Sequence, residues 1–164
     1  MGLQDMMAGF GGASMGGGGV YLEAGNYLLK ILEVKNGHAD QGGFDFFLAE
    51  FEVVQSDNPK FRPGSRVEWM VAFKNQQYLS TYQADVKQFL YHAFRGFDPN
   101  VTVEQINEQV WQLATSTEQP LAGKYVAASA VDKPKKTKPG EVFTKVNFHE
   151  WAGPSSAQNG EAAA

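Results

Sequence analysis

Between Gly25 and Trp151 the apolar residues recur with two different periods, and the change of period divides the chain into elements. Alternation with a period of two marks strands. Gly25 to Lys35, GNYLLKILEVK, is rich in Tyr, Leu, Ile and Val and lies between the turn signals Gly25-Asn26 and Asn36-Gly37, which predicts a first strand. Phe44 to Val54 predicts a second, with Phe47, Ala49, Phe51 and Val53 on one apolar face. Its other face, Phe44, Phe46, Leu48, Glu50 and Glu52, turns acidic along the strand. After a Pro- and Gly-containing loop, Arg66 to Lys74 predicts a third strand: Val67, Trp69, Val71 and Phe73 face inward, and Arg66, Glu68, Met70 and Lys74 outward.

A helical period follows. Leu79, Tyr82, Val86, Phe89, Leu90, Ala93 and Phe94 form one apolar stripe ending at Gly96, so the spacing predicts a helix over Leu79 to Arg95. Thr102 and Gln105 make a capping box, flanked by Val101 and Ile106, for a second helix with Ile106, Val110, Leu113 and Ala114 on its buried side. Pro120 and Gly123 then return the chain to strands, Lys124 to Val131 and Val142 to Trp151. Three strands, helices, then two strands make a mainly β chain. Five strands with the helical segment between the third and fourth is the order of an OB-fold barrel; a sandwich with a two-helix insertion gives the same string.

The two last strands enclose Asp132-Lys-Pro-Lys-Lys-Thr-Lys-Pro-Gly140, whose prolines and glycine should stop strand pairing and whose lysines no core accepts. A projecting cationic loop is expected. From Lys124 to Lys145 there are six lysines against two acids, a local charge of +4, which leaves eight basic and sixteen acidic residues in the rest of a chain of net charge −4. Positive potential is therefore concentrated at one place, as suits a site that follows a polyanion, although such a loop is also an ordinary solvated turn. In the last strand Val142, Thr144, Val146 and Phe148 should point to the core. Phe143, Lys145, Asn147, His149 and Trp151 share the other face, where rings among basic and amide groups either stack on bases or lie under a helix or a chain end. Phe44 and Phe46 offer the same choice, and Arg66 and Lys74 extend the basic path if they share the face of Lys145.

Composition narrows the classes. The 164 residues, 43% hydrophobic, suffice for one domain, expected over 20–153, with a Gly- and Met-rich arm at 1–19 and a patternless tail at 154–164. Absence of cysteine removes disulfides, thiolate metal sites and thiol nucleophiles. With no basic, apolar leader in the first twenty residues and no apolar run near twenty, a soluble cytoplasmic protein without a membrane partner is expected. His38, His92 and His149 are far apart and form no HxH or HxxxH pair, no nucleophile and base stand together, and Glu118 occupies the place where Gly123-Lys124 would need a phosphate-loop glycine. Neither an enzyme nor a cofactor is expected.

Over Gly25 to Trp151 the chain resembles the bacteriophage single-stranded-DNA-binding proteins of OB fold. The resemblance rests on GNYLLKILEVK, on FFLAEFEVV with its Pro-Gly turn, on the helix YQADVKQFLYHAFRG, and on LAGKYVAAS before the lysine loop and VNFHEW after it. It implies sequence-tolerant coating of single strands during DNA replication and recombination, with replication or recombination proteins as further partners. The contacts it implies fall on Lys133, Lys135, Lys136, Lys138, Lys145, Phe143 and Trp151, and less directly on Phe44, Phe46 and Arg66. Where such proteins often end in a strongly acidic tip, this tail has only Glu161, which speaks against partner docking through it. A non-catalytic protein-docking or phage-assembly module on the same barrel is the other reading, since exposed rings and an acidic balance suit a protein interface as well.

Overall fold

The computed structural model describes residues 20–135 and 138–151; the arm at 1–19 and the tail at 154–164 lie outside the described residues. Five strands, β1 (Gly25–Ala39), β2 (Phe44–Ser56), β3 (Arg66–Phe73), β4 (Tyr125–Pro134) and β5 (Val142–Glu150), form one antiparallel sheet in the order β3-β2-β1-β4-β5. Between β3 and β4 come a 3₁₀ turn, Gln76–Tyr78, the helix α1 (Leu79–Arg95), a second 3₁₀ turn, Val103–Gln105, and the short helix α2 (Glu108–Ala114).

β1 organises the sheet because it changes its inward face midway. Tyr27, Leu29 and Ile31 are buried at a spacing of two and Val34 follows at a spacing of three. The register with β2 steps accordingly, from Ile31↔Phe51 to Glu33↔Glu50, so Leu32 is the extra residue of a bulge. Bulges increase bending and twist. Here the first part of β1, Gly25 to Lys30, pairs with β4, and from Tyr27 onward with β2 as well. At Ile31 the backbone N–H donates to the Lys124 carbonyl and the carbonyl accepts from Gly123, both at 2.7 Å.

The resulting curl brings opposite edges of the sheet together. If the sheet were flat, β3 and β5 would be about 19 Å apart at the usual strand spacing. Instead the rings of Trp69 and Phe148 approach to 4.7 Å. α1 fills the interior with Val86, Phe89, Leu90 and Ala93, all buried. Phe89 meets Phe47 at 5.8 Å, Phe51 at 5.9 Å, Trp69 at 5.5 Å and Phe148 at 5.0 Å.

The barrel expected from the strand order is not closed, because β3 and β5 do not pair. The outer edge of β3 is already used. The Glu68 N–H donates to the Val20 carbonyl at 2.9 Å and the Leu22 N–H to the Glu68 carbonyl at 3.3 Å, so residues just before β1 form a short parallel bridge there, and Leu22 is buried. The second helix is also shorter than expected. The Thr102–Gln105 capping box is present but caps only the 3₁₀ turn; Ile106 leaves helical geometry to enter the core, and Asn107 caps a new start, its side chain accepting from the Val110 N–H. Leu113, expected inside, is 42% exposed. Among the described residues no helix is long and apolar enough to cross a membrane.

Two acids break the outside-polar rule. Glu50 and Glu68 stand opposite each other on β2 and β3, both buried, and neither Glu68 carboxylate oxygen has a hydrogen-bond partner among the described residues. Burial pushes the Glu50 carboxyl above its ordinary value, helped by the charges of Glu33 and Glu68 and opposed by Lys35 and Arg66. A raised folded-state pKa means that its contribution to stability is fully present below the unfolded value and is lost as pH rises through the folded one. Glu50→Gln is therefore expected to raise the urea midpoint at pH 7 and to confer no gain below about pH 4, which paired urea melts would measure.

Candidate nucleic-acid interface

The β4–β5 hairpin is longer than the strands that support it. β4 pairs with β1 only as far as Ala130↔Gly25, yet β4 and β5 remain paired through Val131↔Lys145, Asp132↔Thr144, Lys133↔Phe143 and Pro134↔Val142. Pairing thus runs into the stretch whose prolines should have ended it. Proline lacks only its own N–H, and at the end of an edge ribbon that donor is dispensable. The ribbon is tied by the Thr144 hydroxyl donating to Asp132 at 2.9 Å and by the Lys135 N–H donating to the Glu141 carbonyl at 2.9 Å. Because it projects past the sheet, Val142 is 60% exposed and Thr144 is exposed too, although alternation assigned both to the core. Only Val146 and Phe148 of that set are buried.

At the root of the ribbon lies a cleft of about 510 Å³ between β3, α1 and β5. It brings Lys133, Phe143 and Lys145 together with Trp69, Tyr82 and Asp85. Lys133 and Phe143 are directly opposite, so cation and ring share one face of the ribbon, and Phe143 is 43% exposed. The Lys145 ammonium donates to Asp85 of α1 at 2.8 Å, both groups partly buried, which fastens the ribbon to the helix and spends that charge. Lys135 is paired with Glu141 at 3.4 Å. Lys133 and Lys138 are exposed and, among the described residues, make no ion pair; Lys136 lies outside the described residues.

The other expected contacts lie elsewhere. Trp151 follows β5 eight residues after Phe143, on the order of 26 Å along an extended strand, so residues of one alternating face do not make one site. It is half-buried, its ring edge-on to Tyr125 at 5.4 Å, and its carbonyl sits so close to Gly96 that a Cβ there would come within 2.9 Å. This contact, rather than a left-handed cap, explains the glycine after α1. The neighbouring Glu150 is hydrogen-bonded to His92 at 2.7 Å and ion-paired with Arg95 at 3.0 Å. Partial burial opposes its charge, but its own backbone N–H, the His92 hydrogen bond and the charges of His92 and Arg95 outweigh that and hold the carboxyl below its ordinary value. Phe44 is covered by the Lys74 ammonium at 4.6 Å. Phe46 lies over Gly37, where a Cβ would come within 2.3 Å of the ring, and Arg66 is exposed at the start of β3 opposite Glu52. None of these lines the cleft.

Tyr82 and Asp85 escaped sequence reasoning, Tyr82 because it belonged to the core stripe of α1. The only signal at Asp85 was an acid beside that stripe, three residues on. His38 pairs with Asp45 at 2.8 Å, and among the described residues no three metal-ligating side chains come together. No protein-family model matches the chain, and no curated protein is recognisably similar to it in sequence. The placements of the two aromatics predict opposite behaviour in urea melts. Trp151→Ala should cost about 2 kcal/mol or more of folding stability, whereas Phe143→Ala should stay within about 0.5 kcal/mol.

Proposed function

We propose that the protein binds and coats single-stranded DNA, in the manner of the phage replication and recombination proteins it resembles. One observation carries this reading: a ribbon that projects from the sheet places Lys133, without an ion pair among the described residues, beside the exposed ring of Phe143 and above a cleft that also contains Tyr82 and Trp69, with Lys138 exposed in the turn beyond. Cations neutralise phosphates and rings stack on bases whatever their identity, which is the combination that suits an unpaired strand. The order β3-β2-β1-β4-β5, with α1 spanning the gap between the sheet edges, supports an OB-fold left open between β3 and β5. In such a fold the loop joining the last two strands lies at the binding rim.

Single strands should be preferred over duplex, because stacking needs unstacked bases whereas lysines alone accept either. Fluorescence anisotropy with labelled single-stranded and duplex oligonucleotides at two salt concentrations tests this, and equal affinity for the two forms would overturn it. In the same assay Lys133→Ala with Lys138→Ala should flatten the salt dependence by about 1.4 units, at about 0.7 counterions per phosphate contact. Phe143→Ala should instead cost roughly 1 to 3 kcal/mol of binding and leave the salt slope in place.

A further inference from the structure

The cleft at the hairpin does not end at α1. Tyr82 lines it, and the Tyr82 ring rests edge-on against Phe73 at 5.5 Å. Phe73 lines a second cleft of about 630 Å³ on the other side of that pair, together with Phe46, Gln83 and Trp111. Gln83, Trp111 and Asn36 belong in turn to a third, of about 540 Å³, which reaches Lys87. The Tyr82–Phe73 ring pair stands between the first and second depressions, and the second and third share Asn36, Gln83 and Trp111.

The chemistry of this extension differs from that of the hairpin. Its rings are held in place: the Trp111 Nε1–H donates to the Asn36 amide oxygen at 2.8 Å, its ring meets Phe47 edge-on at 5.7 Å, and the Asn36 amide nitrogen donates to Thr115 at 3.2 Å. Around them stand amides, Gln83 exposed on α1 among them, with few net charges. Lys87 and Glu108, of opposite charge, both line the third cleft, and His38 is paired with Asp45 in the second. Fixed rings and side chains that both donate and accept suit flat, uncharged, polar heterocycles better than phosphates. We infer that a single strand held at the hairpin continues past Tyr82 and Phe73 into this groove, its bases received by Trp111 and Gln83. The inference rests on the single-strand reading above and adds the path of the strand beyond the lysines.

Oligothymidylates of about 4 and about 16 nucleotides, the limits of what one OB fold covers, separate the two parts of the path. Gln83→Glu, an exposed substitution of equal size, places a negative charge in the groove away from the hairpin. It should weaken binding of the long oligonucleotide about tenfold or more and leave the short one unchanged, with thermal melting unaltered. The long oligonucleotide should also quench tryptophan fluorescence beyond the level reached with the short one, and Trp111→Phe should abolish that extra quenching. Unchanged affinity of Gln83→Glu for the long oligonucleotide, with wild-type binding intact, would overturn the extended path and leave the hairpin site standing. Absence of any single-strand binding by the wild-type protein would overturn the functional reading and this inference with it.

Discussion

Phe89 is in contact with rings from β2, β3 and β5, and no other ring of α1 does the same among the described residues. Since β3 and β5 share no hydrogen bonds, the curvature that brings them together depends on side chains meeting over this ring. Edge-to-face contacts of this kind are directional and add to simple burial. They fix how far the sheet curls and therefore how wide the cleft beside the hairpin remains. A sheet closed by backbone pairing would have sealed the space that Trp69, Tyr82 and Phe143 line.

The cationic segment illustrates how little a count of charges says about a surface. Lys124 lies over the Phe97 ring at 4.8 Å, Lys135 answers Glu141, and Lys145 answers Asp85. These three lysines hold the hairpin and its surroundings in shape. Which lysines of the hairpin are paired is set by partners contributed from α1 and from the hairpin's own turn, so shape and charge here are not independent.

Strands and the first helix were legible because their periods are local: Phe47, Ala49, Phe51 and Val53 of β2 and the stripe of α1 follow from spacing, whereas Leu48 and Glu50, which the same spacing put on the outward face, are buried as well. What was not legible depends on distant pairing. Val142 and Phe148 have the same parity, but one stands on a ribbon beyond the sheet and the other beneath α1, and nothing in their spacing tells them apart. Phe143 and Trp151 divide for the same reason. The capping box at Thr102 forms as its residues predict, yet the helix it should start is interrupted because burying Ile106 outweighs continuing the turn. Use of the β3 edge by Val20 to Leu22, which keeps the sheet open, has no local signature at all.

An open sheet has two borders, and a border with free backbone groups invites strands from other molecules. This protein guards each by a different means. Along β3 the residues entering β1 occupy the backbone groups of Glu68. Along β5 the far end is clasped to α1 through Glu150, and the projecting end carries Lys145 on β5 with Lys133 and Pro134 on the strand paired to it. Lysine and proline are the residues that discourage sheet extension. The lysine and proline side chains of the ribbon thus discourage a strand of another molecule from adding to this border, a protection built from side chains where the β3 border relies on backbone pairing.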